Sequence, residues 1–145
     1  MLVVAAIIER PDRHILIGQR RRSDTSPLKW EFPGGKVRDS ENESPEVALS
    51  RELREELGAT LTRCTEIARA RHHYAATAEP LEIRFYAAEI ENGELSPAVF
   101  EQIAWVLPKD LGAYDFLAAN AHLVADIATG RIKPAEMLDA AGQQS

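Results

Sequence analysis

Glu52, Glu55 and Glu56 are the residues whose type and spacing speak most directly to chemistry. They fall at i, i+3 and i+4, so on a helix their side chains gather on one face. Three like charges that close repel one another, each pair costing roughly a few tenths of a kcal/mol on an exposed helix. A divalent cation reverses the sign of that interaction, because hard oxygen ligands are what magnesium takes. The alternative is a solvated acidic face, partly neutralised by Arg51 and Arg54. A glycine pair upstream, Gly34-Gly35, and Gly58 downstream favour the site over the solvated face.

A helix must carry these carboxylates, and the residues around them predict one. Ser44 suits the N-cap and Pro45 the first helical position, while Gly58 suits the left-handed residue that ends a helix. Leu49, Leu53 and Leu57 recur every fourth residue and form an apolar stripe that packs on the core.

The rest of the chain supplies strands before and after that helix. Leu2–Ile8 is a continuous apolar run, as in a buried strand. Pro11-Asp12-Arg13 reads as a turn and His14–Gln19 as a second strand, together giving a hairpin. Residues 20–27 are polar and read as a loop, after which Trp30-Glu31-Phe32-Pro33 leads into the glycine pair. Residues 61–74 read as extended. Leu81–Ile90 alternates, with Leu81, Ile83, Phe85 and Ala87 on one side and Glu82, Arg84 and Tyr86 on the other. Asn92-Gly93 marks a turn, and Ile103–Leu107 a short strand ended by Pro108. Asp115 is expected to cap a last long helix with Leu117, Ala121, Val124, Ala125 and Ala128 inward and Gly130 as its stop. After Pro134 a short helix is expected, then a frayed tail over roughly the last ten residues. Strands on both sides of a helix, with further helix near the end, suggest a mixed sheet covered on two faces, in a single domain spanning residues 1–145.

Composition bounds what such a domain can do. The chain has 145 residues, 45% of them hydrophobic and 28% charged, which is ordinary for a globular domain with a real core. The formal charge of −6 argues against sequence-independent binding to a nucleic acid backbone. Cys64 is the only cysteine, so neither an intrachain disulfide nor a cysteine-rich metal cluster is possible. The apolar start, Met1 to Ile8, is short and lacks a basic flank and cleavage site, so it reads as a strand and not a signal peptide. No stretch approaches a membrane span, and the expected location is the cytoplasm.

At the acidic helix the chain resembles the Nudix hydrolases. Their pattern is G-x5-E-x7-R-E-U-x-E-E-x-G-U, with U a bulky apolar residue. Glu43, seven intervening residues and then Arg51-Glu52-Leu53-Arg54-Glu55-Glu56-Leu57-Gly58 fit it, with Ala59 smaller than the usual last residue. The front departs: seven residues, not five, separate Gly35 from Glu43. Glu41 satisfies the glycine spacing but not the distance to Arg51, and the rigid helix side is the better guide to register. The resemblance implies an α/β/α sandwich with a mixed β-sheet between helices. It also implies cleavage of a nucleoside diphosphate linked to another moiety, with Mg2+ as cofactor and Mn2+ as a substitute. Carried over, Glu55 and Glu56 are metal ligands, Glu52 is a ligand or the general base, and Arg51 orients a glutamate. A carbonyl of Gly34 or Gly35 completes the metal shell, and Glu43 is a further candidate ligand. Glu101, just before the Ile103-Ala104-Trp105-Val106 strand, is a candidate base or metal-site residue.

Beyond that helix, Gly18-Gln19-Arg20, Trp30-Glu31-Phe32-Pro33-Gly34-Gly35-Lys36, Phe85-Tyr86 and Asp115-Phe116-Leu117-Ala118-Ala119-Asn120 look like the MutT-like branch, whose members hydrolyse oxidised nucleotides such as 8-oxo-dGTP. Arg20 then matches a substrate-contacting arginine. Asn120 matches the asparagine that reads a guanine edge, a task its donor-plus-acceptor amide suits. Phe32, Trp30 and Tyr74 either line the base pocket or fill core. Arg21 and Arg22 either help hold phosphate or are solvated loop residues, and the solvated loop is the preferred reading. Adjacent His72 and His73 point to opposite faces of a strand and cannot share one ion without a bend. The expected partner is a small nucleotide, with no nucleic acid and no membrane, and no oligomeric state is indicated. Hydrolysis of CTP or another pyrimidine triphosphate, of a dinucleoside polyphosphate or of a nucleotide sugar is the alternative within the family. A non-catalytic nucleotide-binding module is disfavoured, because such domains usually lose the carboxylates this chain keeps.

Overall fold

The computed structural model describes residues 1–73 and 79–142. The apolar run Leu2–Ile8 forms β1, whose alternate residues enter two different cores. Ala5 and Ile7 join one apolar cluster, while Val4, Ala6 and Ile8 join the other. Burial on both faces is why the run does not alternate with polar residues. β1 pairs in parallel with β6 (Leu81–Ile90) and antiparallel with the short β4 (Gly34–Lys36). β5 (Leu61–His72) pairs antiparallel with β6, so this four-stranded sheet is mixed, in the order β4-β1-β6-β5. A second sheet has the order β3-β2-β7, from Trp30–Glu31, Ile15–Arg20 and Phe100–Val106.

Helix α1 (Pro45–Leu57) forms as its punctuation predicts. Ser44 Oγ accepts the Val47 N–H at 3.3 Å, Pro45 begins the helix, and Gly58 closes it at φ 66° with its N–H on the Arg54 carbonyl. Leu49, Leu53 and Leu57 are fully buried against β1 and its neighbours. Each such leucine contributes about 1.5–3 kcal/mol of burial, which fixes the helix axis and so the direction of its carboxylates. On the other side, α2 (Ala121–Ala128) packs Leu123, Val124 and Ile127 against Ala5, Ile7, Ile15 and Ile17. Helices thus cover both faces, as an α/β sandwich requires.

Three expectations are corrected. β1 and β2 do not form a hairpin; only Glu9 and Ile15 bridge them. A strand has two edges, and those of β1 are taken by β4 and β6. β7 begins at Phe100, not Ile103, so Glu101 lies inside a strand. Asp115 caps no helix: its carbonyl accepts the Trp30 N–H at 2.9 Å and its carboxylate pairs with Lys29. The helix starts at Ala121 after a short 3-10 turn, leaving Ala121 and Ala125 exposed. The short helix expected after Pro134 is present as α3 (Pro134–Gly142), anchored by buried Leu138. Tyr74 lies outside the described residues. Among the described residues no helix is long and apolar enough to cross a membrane.

Candidate active site

The glycine pair of β4 and α1 meet because β4 pairs with β1 while α1 packs across both. Both glycines make a close approach, Gly34 to backbone and Gly35 to the end of a side chain. A Cβ on Gly34 would land on the backbone carbonyl of Val4, and one on Gly35 would lie 2.6 Å from Glu52 Oε2. Gly34 N–H donates to Glu56 Oε1 at 2.9 Å. The glycine pair therefore adjoins two of the three helix carboxylates, Glu52 and Glu56.

Arg51 organises the rest. Its Nε and Nη2 donate to the two oxygens of Glu43 at 2.8 and 3.0 Å. Its Nη1 donates to Glu52 at 2.9 Å and to Glu55 at 3.2 Å, and Nη2 also reaches the Lys36 carbonyl. Glu43 in addition accepts the Arg38 N–H. Both its oxygens are thus engaged, first by Arg51, and its pKa is held down at about 2. Glu43 braces Arg51, and Arg51 in turn holds Glu52. Glu41 sits apart, 3.7 Å from Arg38. Glu55 is half exposed and turned toward Arg51 and Arg38.

This brace has a testable pH signature. The folded-state pKa of Glu43 lies below its ordinary 4.5, so its stabilisation is present above 4.5 and fades as pH falls toward 2. Glu43→Gln is expected to lower Tm at neutral pH, with the gap to wild type narrowing as pH drops through the acid range. Parallel melting curves at every pH would show that the pairing stabilises nothing.

Burial pushes Glu56 up to about 8, helped by the nearby charges of Glu31 and Glu52 and opposed by the Gly34 N–H. Burial also raises Glu52 and Glu31, against the lowering effect of Arg51 on the first and Arg20 on the second. Among the described residues no three acidic, histidine or cysteine side chains converge as a finished cation cage. The donor set nonetheless fits a hard divalent ion. Glu52 and Glu56 both adjoin the Gly34-Gly35 backbone, and burial raises both carboxylates, a penalty a bound divalent cation would offset.

Glu56, Gly34 and Gly35 lie in the wall of a cleft of about 640 Å3 that is also lined by Arg20, Glu31, Phe32 and Asn120. That volume suits a nucleotide-sized ligand. A larger cleft, about 920 Å3, lies beside α3 and Trp105 and contains none of the expected site residues. Asn120 is the buried polar residue of the core, 4% exposed. It is placed by an extended stretch alongside β3, where Trp30 N–H donates to Asp115 and Leu117 N–H donates to Trp30. Asn120 Oδ1 accepts the Phe32 N–H at 3.4 Å. Phe32 is both core and cleft wall, tilted on Phe116 at 5.3 Å. Arg20 donates to Glu31 at 3.2 Å and twice to Thr25.

The fold thus gathers Arg20, Phe32, Gly34, Gly35, Glu56 and Asn120 around one cleft, with Glu52 directly behind Gly35. Glu43 and Arg51 form the bracing layer behind it, with Glu55 half exposed beside Arg51. Glu101 is not in that wall; its carboxylate is 3.6 Å from Arg22. Sequence reasoning missed Glu31. The available signal was a charged residue between two buried aromatics, Trp30 and Phe32, immediately before the glycine pair. In a strand that spacing turns the carboxylate to the face opposite the aromatics.

Comparison with known proteins agrees with this arrangement. The family profile described as NUDIX domain matches residues 1–127. The chain is 34% identical over 135 residues to the CTP pyrophosphohydrolase of Escherichia coli, covering 92% of this chain and 96% of that one. It is 40% identical over 72 residues to the 8-oxo-dGTP diphosphatase of Proteus vulgaris, a match spanning 50% of this chain and 62% of the relative. A solved structure from work on MutT of Aliivibrio salmonicida and Vibrio cholerae superposes with a TM-score of 0.73 at 32% identity, covering 88% of this chain and 96% of that one. A phosphoanhydride-cleaving α/β hydrolase is the class that this fold and these relatives define. The chain belongs to the Nudix hydrolase family.

Proposed function

We propose that this protein is a divalent-cation-dependent nucleoside triphosphate pyrophosphohydrolase, acting on an oxidised purine deoxynucleotide such as 8-oxo-dGTP to release the monophosphate and pyrophosphate. One observation carries the reading: a single cleft has Asn120 and Phe32 in its wall together with Gly34, Gly35 and Glu56. Base recognition and phosphoanhydride chemistry are thereby joined at nucleotide scale.

Glu55, Glu56 and a carbonyl of Gly34 or Gly35 would hold the cation, and Glu52 would serve as the general base. When bound it neutralises phosphate charge and makes water more acidic. The chain's own groups do the rest. Gly34 N–H aims Glu56. Arg51 holds one oxygen of Glu52, which takes the proton of the attacking water as the anhydride bond between the α- and β-phosphates breaks. Asn120 spends Oδ1 on the Phe32 N–H, so its amide NH2 is the group left for an acceptor on the base. The Phe32 ring supplies an apolar surface beside it.

A pyrimidine triphosphate is the second reading, favoured by the long match to the CTP pyrophosphohydrolase of Escherichia coli. A panel of oxidised and unoxidised triphosphates, assayed with magnesium and with excess EDTA and with products identified, separates the two. A preference for CTP would replace the substrate assignment and leave the reaction type standing. Full activity in EDTA would overturn the cation requirement.

Asn120→Ala tests base recognition. Loss of a buried hydrogen-bonding group costs about 1–3 kcal/mol, or roughly 5- to 150-fold. The ratio of kcat/KM for 8-oxo-dGTP over dGTP is expected to fall by that order, with less effect on turnover of a poor substrate. An unchanged ratio would remove Asn120 from the recognition site.

A further inference from the structure

The loop 21–28 forms one rim of the cleft through Asp24, Thr25 and Ser26. Its inner side is tied by Arg20, which donates to the Thr25 carbonyl at 2.7 Å and to Thr25 Oγ1 at 3.0 Å. Its outer side is tied by Arg21, whose Nη2 donates to the Ala98 carbonyl at 2.7 Å. Ala98 is not an arbitrary anchor. Its N–H donates to the Glu56 carbonyl at 3.0 Å, and Ser96 N–H donates to the Leu57 carbonyl at 2.8 Å. The last carbonyls of a helix have no partner inside it, so residues 96–98 cap the end of α1 that carries Glu56. Val99 and Phe100, immediately following, enter the cleft wall.

We propose that Arg21 is a positioning residue for substrate: through Ala98 it ties the rim loop to the catalytic end of α1 and so sets the cleft's width. Arg21 touches neither the carboxylates nor Asn120. It acts through a hydrogen bond to a segment that is itself bonded to the Glu56 backbone. The proposal rests on the pyrophosphohydrolase reading for its kinetic consequence, but the mechanical link stands on geometry alone.

Two variants and two measurements test it. Arg21→Ala removes the bond, while Arg21→Lys keeps a charge and a donor of similar reach. A solvent-exposed hydrogen bond of ordinary net strength shifts a local equilibrium by about two- to tenfold. In Arg21→Ala, KM for the best nucleotide is expected to rise by that factor with kcat within twofold of wild type, and Arg21→Lys is expected to restore most of it. Hydrogen exchange is expected to quicken by a similar factor at the amides of Asp24, Leu28 and Ala98, with β1 unchanged. Unaltered exchange at these amides would overturn the tie, whatever the activity. Faster exchange with unchanged KM would overturn the role in substrate binding. A KM rise that disappears at about 0.5 M salt would be screened charge attraction and would also overturn it. A wild-type protein inactive on every nucleotide tested would refute the proposed function, with the exchange result still deciding the tie.

Discussion

Glu56→Gln is expected to lower turnover on the order of 10²-fold or more while leaving the fold intact. Glutamine keeps the oxygen that accepts the Gly34 N–H, so the local packing has no reason to move. What disappears is the carboxylate proposed to hold the cation, and losses of that size follow from removing such a group. The same substitution carries a stability signature of opposite sign. Folding raises Glu56 from 4.5 to about 8, so in cation-free buffer its effect is most favourable below pH 4.5 and is lost as pH rises through 8. Wild type is expected to lose Tm across that interval in EDTA, and Glu56→Gln to show a flatter profile. Adding magnesium should recover Tm in wild type more than in the variant. Near-normal turnover in Glu56→Gln would sink the assignment, and identical pH–Tm profiles would sink the account of its buried charge.

The two adjacent glycines are expected to fail in different ways. In Gly34→Ala the new methyl meets the Val4 carbonyl, which is backbone in the central strand. Relief requires β4 to leave β1, so the loss falls on stability, about 1–3 kcal/mol or more. In Gly35→Ala the new methyl meets the Glu52 carboxylate, the mobile end of a side chain. Glu52 can swing aside at little cost to the fold, but it then leaves Arg51 and the position proposed for accepting the water proton. Turnover is expected to fall on the order of tenfold to a hundredfold with little change in Tm. Melting curves and kcat for the pair decide the matter. A Gly35→Ala variant with wild-type turnover would show that the placement of Glu52 is not needed, and a stable Gly34→Ala would refute the β4–β1 contact.

These contrasts follow from the route by which the site is built. α1 was legible because its determinants are local: Ser44, Pro45 and Gly58 set its ends, and Leu49, Leu53 and Leu57 set its buried face. Once that face is buried, helical geometry alone puts Glu52, Glu55 and Glu56 together. The family pattern added Arg51, Glu43 and the glycine pair, all within about one helix length of sequence. Arg51 as an orienting group is in keeping with its bonds to Glu43, Glu52 and Glu55.

Long-range pairing was not legible in the same way. The apolar pattern marked residues 2–8 as a buried strand but held no information on which strands would take its edges. The short β4 and distant β6 took them, and β2 went to another sheet. Asp115 looked like a cap because it precedes an apolar periodic stretch, yet the edge of β3 claimed its backbone first. Glu31 became a neighbour of Glu56, and Arg21 of Ala98, only through contacts 25 and 77 positions apart in sequence. By itself, then, the sequence determined the acidic helix, its caps and the family chemistry, because helix geometry is set by hydrogen bonds four residues apart. The tertiary structure alone decided which carboxylates are buried, which are braced, and which residues share the cleft. Desolvation and strand pairing depend on groups brought together from far along the chain, and no local spacing encodes them.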